Sequence, residues 1–270
     1  MSTRISLKLA VSICLAMLLA LFAGRSALMA QDSGPRQILI TYRCEPADRA
    51  AFRTYLETDE MALLERLKKE GVLERYRVLF NPVVSETYDA LLVMEFHDYA
   101  ATDHWLNLER TRPGGLDKAG LLLAKPQQTY FADLQWSEAS DAQPSSMSIF
   151  YIIPYDYKSL DQYKTYIDGY LVPQVKGWLK TGTLRSYSIY LNRYNVGPPW
   201  DSLFIYEYRN ADSLGRRAET ISEVRNTLRS DPTWKHWSDI KETIRTEEEN
   251  TIMVQLFPKP PGHEVHSHTK

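Results

Sequence analysis

Phe52, Tyr55, Gly71, Leu73 and Tyr76 recur as Tyr163, Tyr166, Gly182, Leu184 and Tyr187, each 111 positions later. Farther along, Asp89, Leu91, Glu95 and Phe96 recur as Asp201, Leu203, Glu207 and Tyr208, now with a step of 112. A fixed step, lengthened once by a single loop residue, is the mark of one supersecondary unit written twice. This repeat restricts the fold more than any other property of the chain. Each copy must cover surface that the other cannot cover alone.

Both copies read β-α-β-β-α-β. In the first, residues 37–43 (QILITYR) form a strand. Residues 47–70 carry Phe52, Tyr55, Leu56, Leu63 and Leu67 at helical spacing, and Gly71 is placed to stop that helix. Residues 73–80 and 88–96 read as hairpin strands, 100–110 as a second helix, and 129–135 as a fourth strand. In the second copy the strands are 148–153, 184–194, 203–208 and 251–256. Its first helix starts at the capping box Ser159-x-x-Gln162 and ends before Gly182, with a bend expected at Pro173. Its second helical region is long and split. Asp231 with Pro232 restarts it as N-cap and first helical residue. The polar stretch 137–146 (SEASDAQPSS) reads as a linker between repeats 37–136 and 147–257.

The two ends read differently. Residues 1–30 have a positive start (Arg4, Lys8), an apolar run over 9–24 and Ala30 before a cleavage point. This order fits a signal peptide and a periplasmic or secreted protein, with no stable membrane insertion after cleavage. An uncleaved N-terminal anchor is the alternative, since the run approaches the ~20 residues that span a bilayer. Residues 258–270 form a tail, expected to be disordered, with His263, His266 and His268, which could hold a divalent metal.

Without residues 1–30 the chain has 29 Lys+Arg against 34 Asp+Glu, a net charge of −5. That balance, with no basic stripe, argues against nucleic acid. Cys44 is the only cysteine left, which excludes an intramolecular disulfide and a cysteine metal site. Phosphate-binding loops, nucleophile elbows and H-E-x-x-H are absent from the sequence.

A β-α-β-β-α-β unit folds as a four-stranded antiparallel sheet with both helices on one face. The strands here are apolar on both faces, as in Ile149/Tyr151/Ile153 and Phe150/Ile152, so the open face must also be covered. Two tandem sheets packed on each other satisfy that need and leave a cleft between them. The expected class is therefore α+β, two fused ferredoxin-like repeats. Over residues 37–257 this layout resembles the dimeric α/β-barrel superfamily. Ser230-Asp231-Pro232-Thr233-Trp234 and Glu247-Glu248-Glu249-Asn250-Thr251-Ile252 are similar to the C-terminal signature of NIPSNAP-like domains. The resemblance implies a barrel. The wider superfamily includes cofactor-free oxygenases, haem-degrading oxygenases, isomerases and haem enzymes similar to chlorite dismutase.

Candidate residues follow from the strands. Glu95 and Glu207 sit within apolar strands, and Arg75 and Arg185 lie on the neighbouring strands. They are either pocket carboxylates or structural ion pairs. His97 lies two residues from Glu95, so Glu95 and His97 are the first candidates for acid–base work. Eleven of the 17 tyrosines fall between Tyr151 and Tyr208. Tyr151, Tyr187, Tyr190 and Tyr206, with Arg185 and Glu207, are expected to line a site for a hydrophobic or aromatic molecule. His236, beside Trp237, is the axial ligand if the protein resembles the haem enzymes. The leading expectation is an exported small-molecule-binding barrel, cofactor-free, acting as an oxygenase or isomerase. A haem protein and a non-catalytic envelope interaction module are the alternatives. A homo-oligomer is compatible with each.

Overall fold

Strand β1 (Gln37–Cys44) is apolar on both sides and is buried along nearly its whole length. In the computed structural model, which describes residues 36–140, 145–194 and 200–259, it lies between two antiparallel partners. These are β3 (Ala90–Phe96) and β4 (Ala124–Ala139), and β3 pairs in turn with β2 (Leu73–Phe80). The order in the first half is β4-β1-β3-β2. In the second half β5 (Ile149–Tyr157) lies between β9 (Thr251–Gln255) and β7 (Ser202–Tyr208), and β7 pairs with β6 (Leu184–Asn192). The order β9-β5-β7-β6 matches that of the first half. A short β8 (Arg245–Glu247) continues along β5 beyond β9.

Two seams join the halves. β4 pairs with β6 from Ala132↔Asn192 to Ala139↔Ser186, and β2 meets β9 at Leu79↔Gln255 and Phe80↔Val254. Eight strands thus close into a ring, with the β2–β9 seam only two residue pairs long. The seam changes one expectation. Ser137–Ala139, whose composition reads as linker, are the end of β4, because β6 supplies partners for their backbone groups. Residues 141–144 lie outside the described residues, as do 1–35, 195–199 and those from 260 on, which include the three candidate histidines.

The period-two alternation of the strands divides the apolar residues into three clusters. Leu92, Met94 and Phe96 of β3 pack under the helices of the first half with Phe52, Leu64 and Trp105. Tyr187, Phe204 and Tyr206 do the same in the second half with Tyr163, Tyr170 and Trp178. Leu39, Leu79, Leu91, Val93, Phe150, Ile152, Ile205 and Met253 point into the ring. Each such side chain contributes roughly 1.5–3 kcal/mol on burial.

The helices are α1 (Arg49–Tyr55), α2 (Met61–Lys69), α3 (Tyr99–Glu109) and α4 (Lys118–Leu123) in the first half. The second half has α5 (Leu160–Tyr166), α6 (Val172–Lys180), α7 (Ala211–Gly215), α8 (Arg217–Leu228) and α9 (Pro232–Ile244). Gly71 and Gly182 stop α2 and α6 at φ 76° and 74°, a conformation that costs glycine nothing. Asp231 caps α9, accepting from the N–H groups of Thr233 and Trp234. Ser159 takes the extended N-cap backbone but makes no side-chain cap bond. The long first helix of each half is interrupted by a π-helical turn, at Leu56–Glu60 and at Ile167–Leu171. The two turns are 111 residues apart, and in the second the break precedes Pro173. Among the described residues, no helix is long and apolar enough to cross a membrane.

The first π-turn carries an unusual side chain. Glu60 is fully buried beneath Trp105 and Gly115. Neither of its carboxyl oxygens has a hydrogen-bond partner among the described residues. Arg112 approaches to only 4.0 Å. Burial pushes the carboxyl from 4.5 up to about 7, with Arg112 opposing and Asp117 and Asp59 adding to the rise. The residue 111 positions on is Leu171, also buried.

Candidate functional site

The strand register gives the ring two dissimilar mouths. At one, β1 and β3 bring Gln37 opposite Glu95, and β6 and β7 bring Ser186 opposite Glu207. At the other, Thr41 pairs with Leu91 and Pro154 with Leu203. A cavity of about 540 Å³ opens at this second mouth. Leu91 and Leu203, related by the 112-residue step, both line it.

Aromatic residues shape the cavity. Tyr130 comes from β4, Tyr88 from the loop before β3, and Trp200 from the segment before β7. The Tyr130 and Trp200 rings pack with centroids 4.6 Å apart. Thr41, Thr87, Gln127 and Gln128 supply neutral polar groups, and Glu248 and Glu249, between β8 and β9, stand at the exposed rim. Tyr130 donates to the Gln128 Oε1, and the Thr87 hydroxyl lies 3.3 Å from that of Thr251. Burial raises both phenols above their usual range, and Tyr88 adds to the rise at Tyr130. Both therefore stay protonated at neutral pH. The cavity offers flat apolar surface, phenolic donors and carboxylate acceptors, the composition of a site for a small aromatic molecule.

Two repeat-related aspartates sit at the cavity mouth. Asp89 accepts the N–H of Cys44 at 2.8 Å and pairs with Arg49. Asp201 accepts the N–H of Tyr157 at 3.0 Å. Each carboxylate thus fixes the end of the first strand of its half at the cavity mouth.

The opposite mouth holds the sequence-predicted carboxylates. Glu95 is bound by Arg75 at 2.8 and 3.1 Å, with Arg36 at 3.7 Å. Glu207 is 5% exposed and accepts from the hydroxyls of Ser148 (2.7 Å) and Ser186 (2.6 Å), with Arg185 Nε at 3.6 Å. Both strand pairs shift register just before these residues, between Leu73 and Arg75 and between Leu184 and Ser186. Ser186 therefore takes the place opposite Glu207 that Arg75 takes opposite Glu95. Arg185 stands where the first half has Glu74, inside the register shift.

His97 lies past the end of β3, 56% exposed, with Nδ1 3.9 Å from Glu74. The structure gives Glu95 and His97 different partners and places neither at the cavity. The four strand tyrosines are likewise divided. Tyr190 points into the ring, whereas Tyr187 and Tyr206 pack under the helices. Tyr151 is half-buried on the same helix-facing side, under Arg217 and hydrogen-bonded to Asn250. One-residue alternation separates side chains that composition alone groups together. Tyr88, Tyr130 and Trp200 went unrecognised in the sequence. The signal open to reading was the alternation Gln128/Tyr130 in β4, in phase with inward-facing Ala132 and Leu134.

Haem does not fit these residues. His236 is exposed on α9, its ring against that of Trp237. His97 and His104 are exposed as well. Among the described residues no histidine, cysteine or methionine lines the cavity, and Glu248 and Glu249 make its rim acidic. Among the described residues no group of three His, Cys, Asp or Glu is arranged to hold a metal.

The sequence matches no protein-family model and no curated protein. Solved structures do match. An anthrone oxidase-like protein aligns with TM-score 0.52 at 9% identity, covering 89% of this chain and 98% of that one. A mutant chlorite dismutase from Candidatus Nitrospira defluvii, in complex with cyanide, aligns with TM-score 0.51 at 10% identity, covering 86% and 93%. A protein from Lactobacillus acidophilus NCFM, provisionally named a monooxygenase, aligns with TM-score 0.51 at 12% identity, covering 83% and 93%. At these identities the likeness concerns the fold, a mixed α+β barrel with ferredoxin-like strand order.

Proposed function

We propose that this protein binds a small aromatic or hydrophobic molecule in the cavity between Tyr88, Tyr130 and Trp200. The observation that carries this reading is the aromatic lining of a 540 Å³ space at one mouth of the ring. Neutral phenols would orient the ligand by hydrogen bonds, and the chemistry available without a cofactor is proton transfer at the rim carboxylates. This reading relocates the acid–base role from Glu95 and His97 to Glu248 and Glu249. Oxygenation or isomerisation of the bound molecule is the reaction class we assign, on the likeness of fold. Two fused ferredoxin-like repeats, the second NIPSNAP-like, account for the matched strand orders and the π-turns 111 residues apart. Export is proposed on residues 1–30 alone, and its test is an intact mass that starts at Gln31.

The function is tested with indole, 2-naphthol and phenol by saturation-transfer NMR and thermal shift. Leu91→Trp and Leu203→Trp should fill the cavity and abolish binding in protein that remains folded. Binding that persists in both filled variants would place the ligand elsewhere. Oxygen uptake by the metal-free protein with a bound aromatic reads out oxygenase chemistry directly.

A further inference from the structure

We propose that the ligand of this cavity is a cation: an amine or quaternary ammonium group carried on an aromatic frame. The inference rests on the cavity reading above and adds the charge of its occupant. Three aromatic rings, those of Tyr88, Tyr130 and Trp200, converge on one space with two carboxylates, Glu248 and Glu249, at its entrance. Among the described residues no Lys, Arg or His lines it. Aromatic faces carry negative charge density, and a cation seated against several of them within about 6 Å is attracted to each. Acidic residues at a low-dielectric mouth focus that potential and draw cations in.

The surrounding charges point the same way. Asp156, two residues along β5 from the lining Pro154, has its carboxyl raised, first by burial and then by Asp201 and Glu248. Asp201 and Glu248 are thus close enough to act on Asp156, and three carboxylates gather on this side of the mouth. The nearest base along β1 is Arg43, and its guanidinium is engaged by the carbonyls of Glu86 and Thr87. Arg49 is engaged by Asp89 and the Asn81 carbonyl. Arg245 lies on the opposite face of β5, over the Tyr155 ring. An anionic ligand would meet carboxylates here, with no base among the described lining residues to receive it. A neutral one would leave the rim charges without a role.

Three probes of one shape separate these cases: phenethylamine, 2-phenylethanol and phenylacetate, titrated into the full chain by NMR at pH 7 and low salt. The amine should bind about ten-fold more tightly than the alcohol, the size of a partly desolvated cation–aromatic contact, and the carboxylate should bind most weakly. In the Glu248→Gln/Glu249→Gln variant the amine-to-alcohol ratio should collapse to within about three-fold, and 0.5 M salt should lower the ratio in the wild type. Equal or tighter binding of the alcohol would overturn the cation assignment and leave the aromatic cavity standing. An amine preference that survives in the double variant would overturn the role of the two carboxylates. If none of the probes binds, and Trp200→Ala behaves like wild type, both this inference and the cavity reading fail.

Discussion

Glu60 is the sharpest test of how this barrel is built. Its carboxyl is pushed from 4.5 to about 7 by burial, with no hydrogen-bond partner among the described residues to soften the cost. Below about pH 4.5 the group is protonated in both folded and unfolded chains, and it has no effect on their balance. Between pH 4.5 and 7 the unfolded chain gives up the proton while the folded chain retains it. Stability is therefore lost as pH rises through this window, and the loss is complete above about pH 7. The displacement corresponds to about 3 kcal/mol. Replacement by Gln removes the titration, and replacement by Leu copies the side chain of Leu171 in the other half. For a chain of this size, ~3 kcal/mol moves Tm by roughly 6–12 °C. The assay is scanning calorimetry of wild type and Glu60→Gln at pH 4.5 and 8.5. The gap between the two proteins should widen by that amount at the higher pH. A gap that is the same at both values would refute the burial of an uncompensated carboxyl.

Other expectations are simpler. Asp89→Ala should cost about 3 kcal/mol, because it leaves both Arg49 and the Cys44 N–H without their partner, while Asp201→Ala, which releases one backbone N–H, should cost about 1 kcal/mol; urea unfolding measures both. Gly115→Ala should lower Tm sharply, since φ is 82° and a Cβ would come within 2.6 Å of Trp105 and 2.7 Å of Glu60. Glu95→Gln and His97→Ala should leave ligand binding at the cavity unchanged, because both residues belong to the far mouth; a loss of NMR-detected binding in either would bring that mouth back into the site.

Much of the scaffold was legible. Gly71 and Gly182 terminate helices where expected, and Asp231 caps one. Most strand bounds fall within a few residues of those expected, because apolar alternation and turn residues are local signals. β4 was the exception. It is 16 residues long and takes its hydrogen bonds from two different strands, so its polar end is held by long-range partners that no local pattern displays. The π-turns are invisible for a related reason, since the extra residue per turn is imposed by packing. The site was harder still. Tyr187 and Tyr190 are three residues apart in one strand, and that odd spacing sends one under the helices and the other into the ring. Counting tyrosines cannot make that distinction. It needs the register, and register shifts occur beside both Arg75 and Ser186.

The two seams bear on how such a chain is made. When β4 has left the ribosome, β2 and β4 flank a four-stranded sheet with nothing on their outer sides. The strand that covers β4 is β6, and the one that covers β2 is β9, the last of the described strands. At roughly 5–20 residues per second, the stretch from Phe80 to Thr251 separates the birth of the β2 edge from its cover by roughly 10–35 s. Until β6 emerges the nascent first half offers two sticky flanks to neighbouring polypeptides, and from then until β9 emerges the flank of β2 alone stays uncovered. Stop codons or frameshifts just ahead of Thr251 should therefore be more harmful than the few lost residues suggest, yielding a product that clumps where the complete chain stays dispersed.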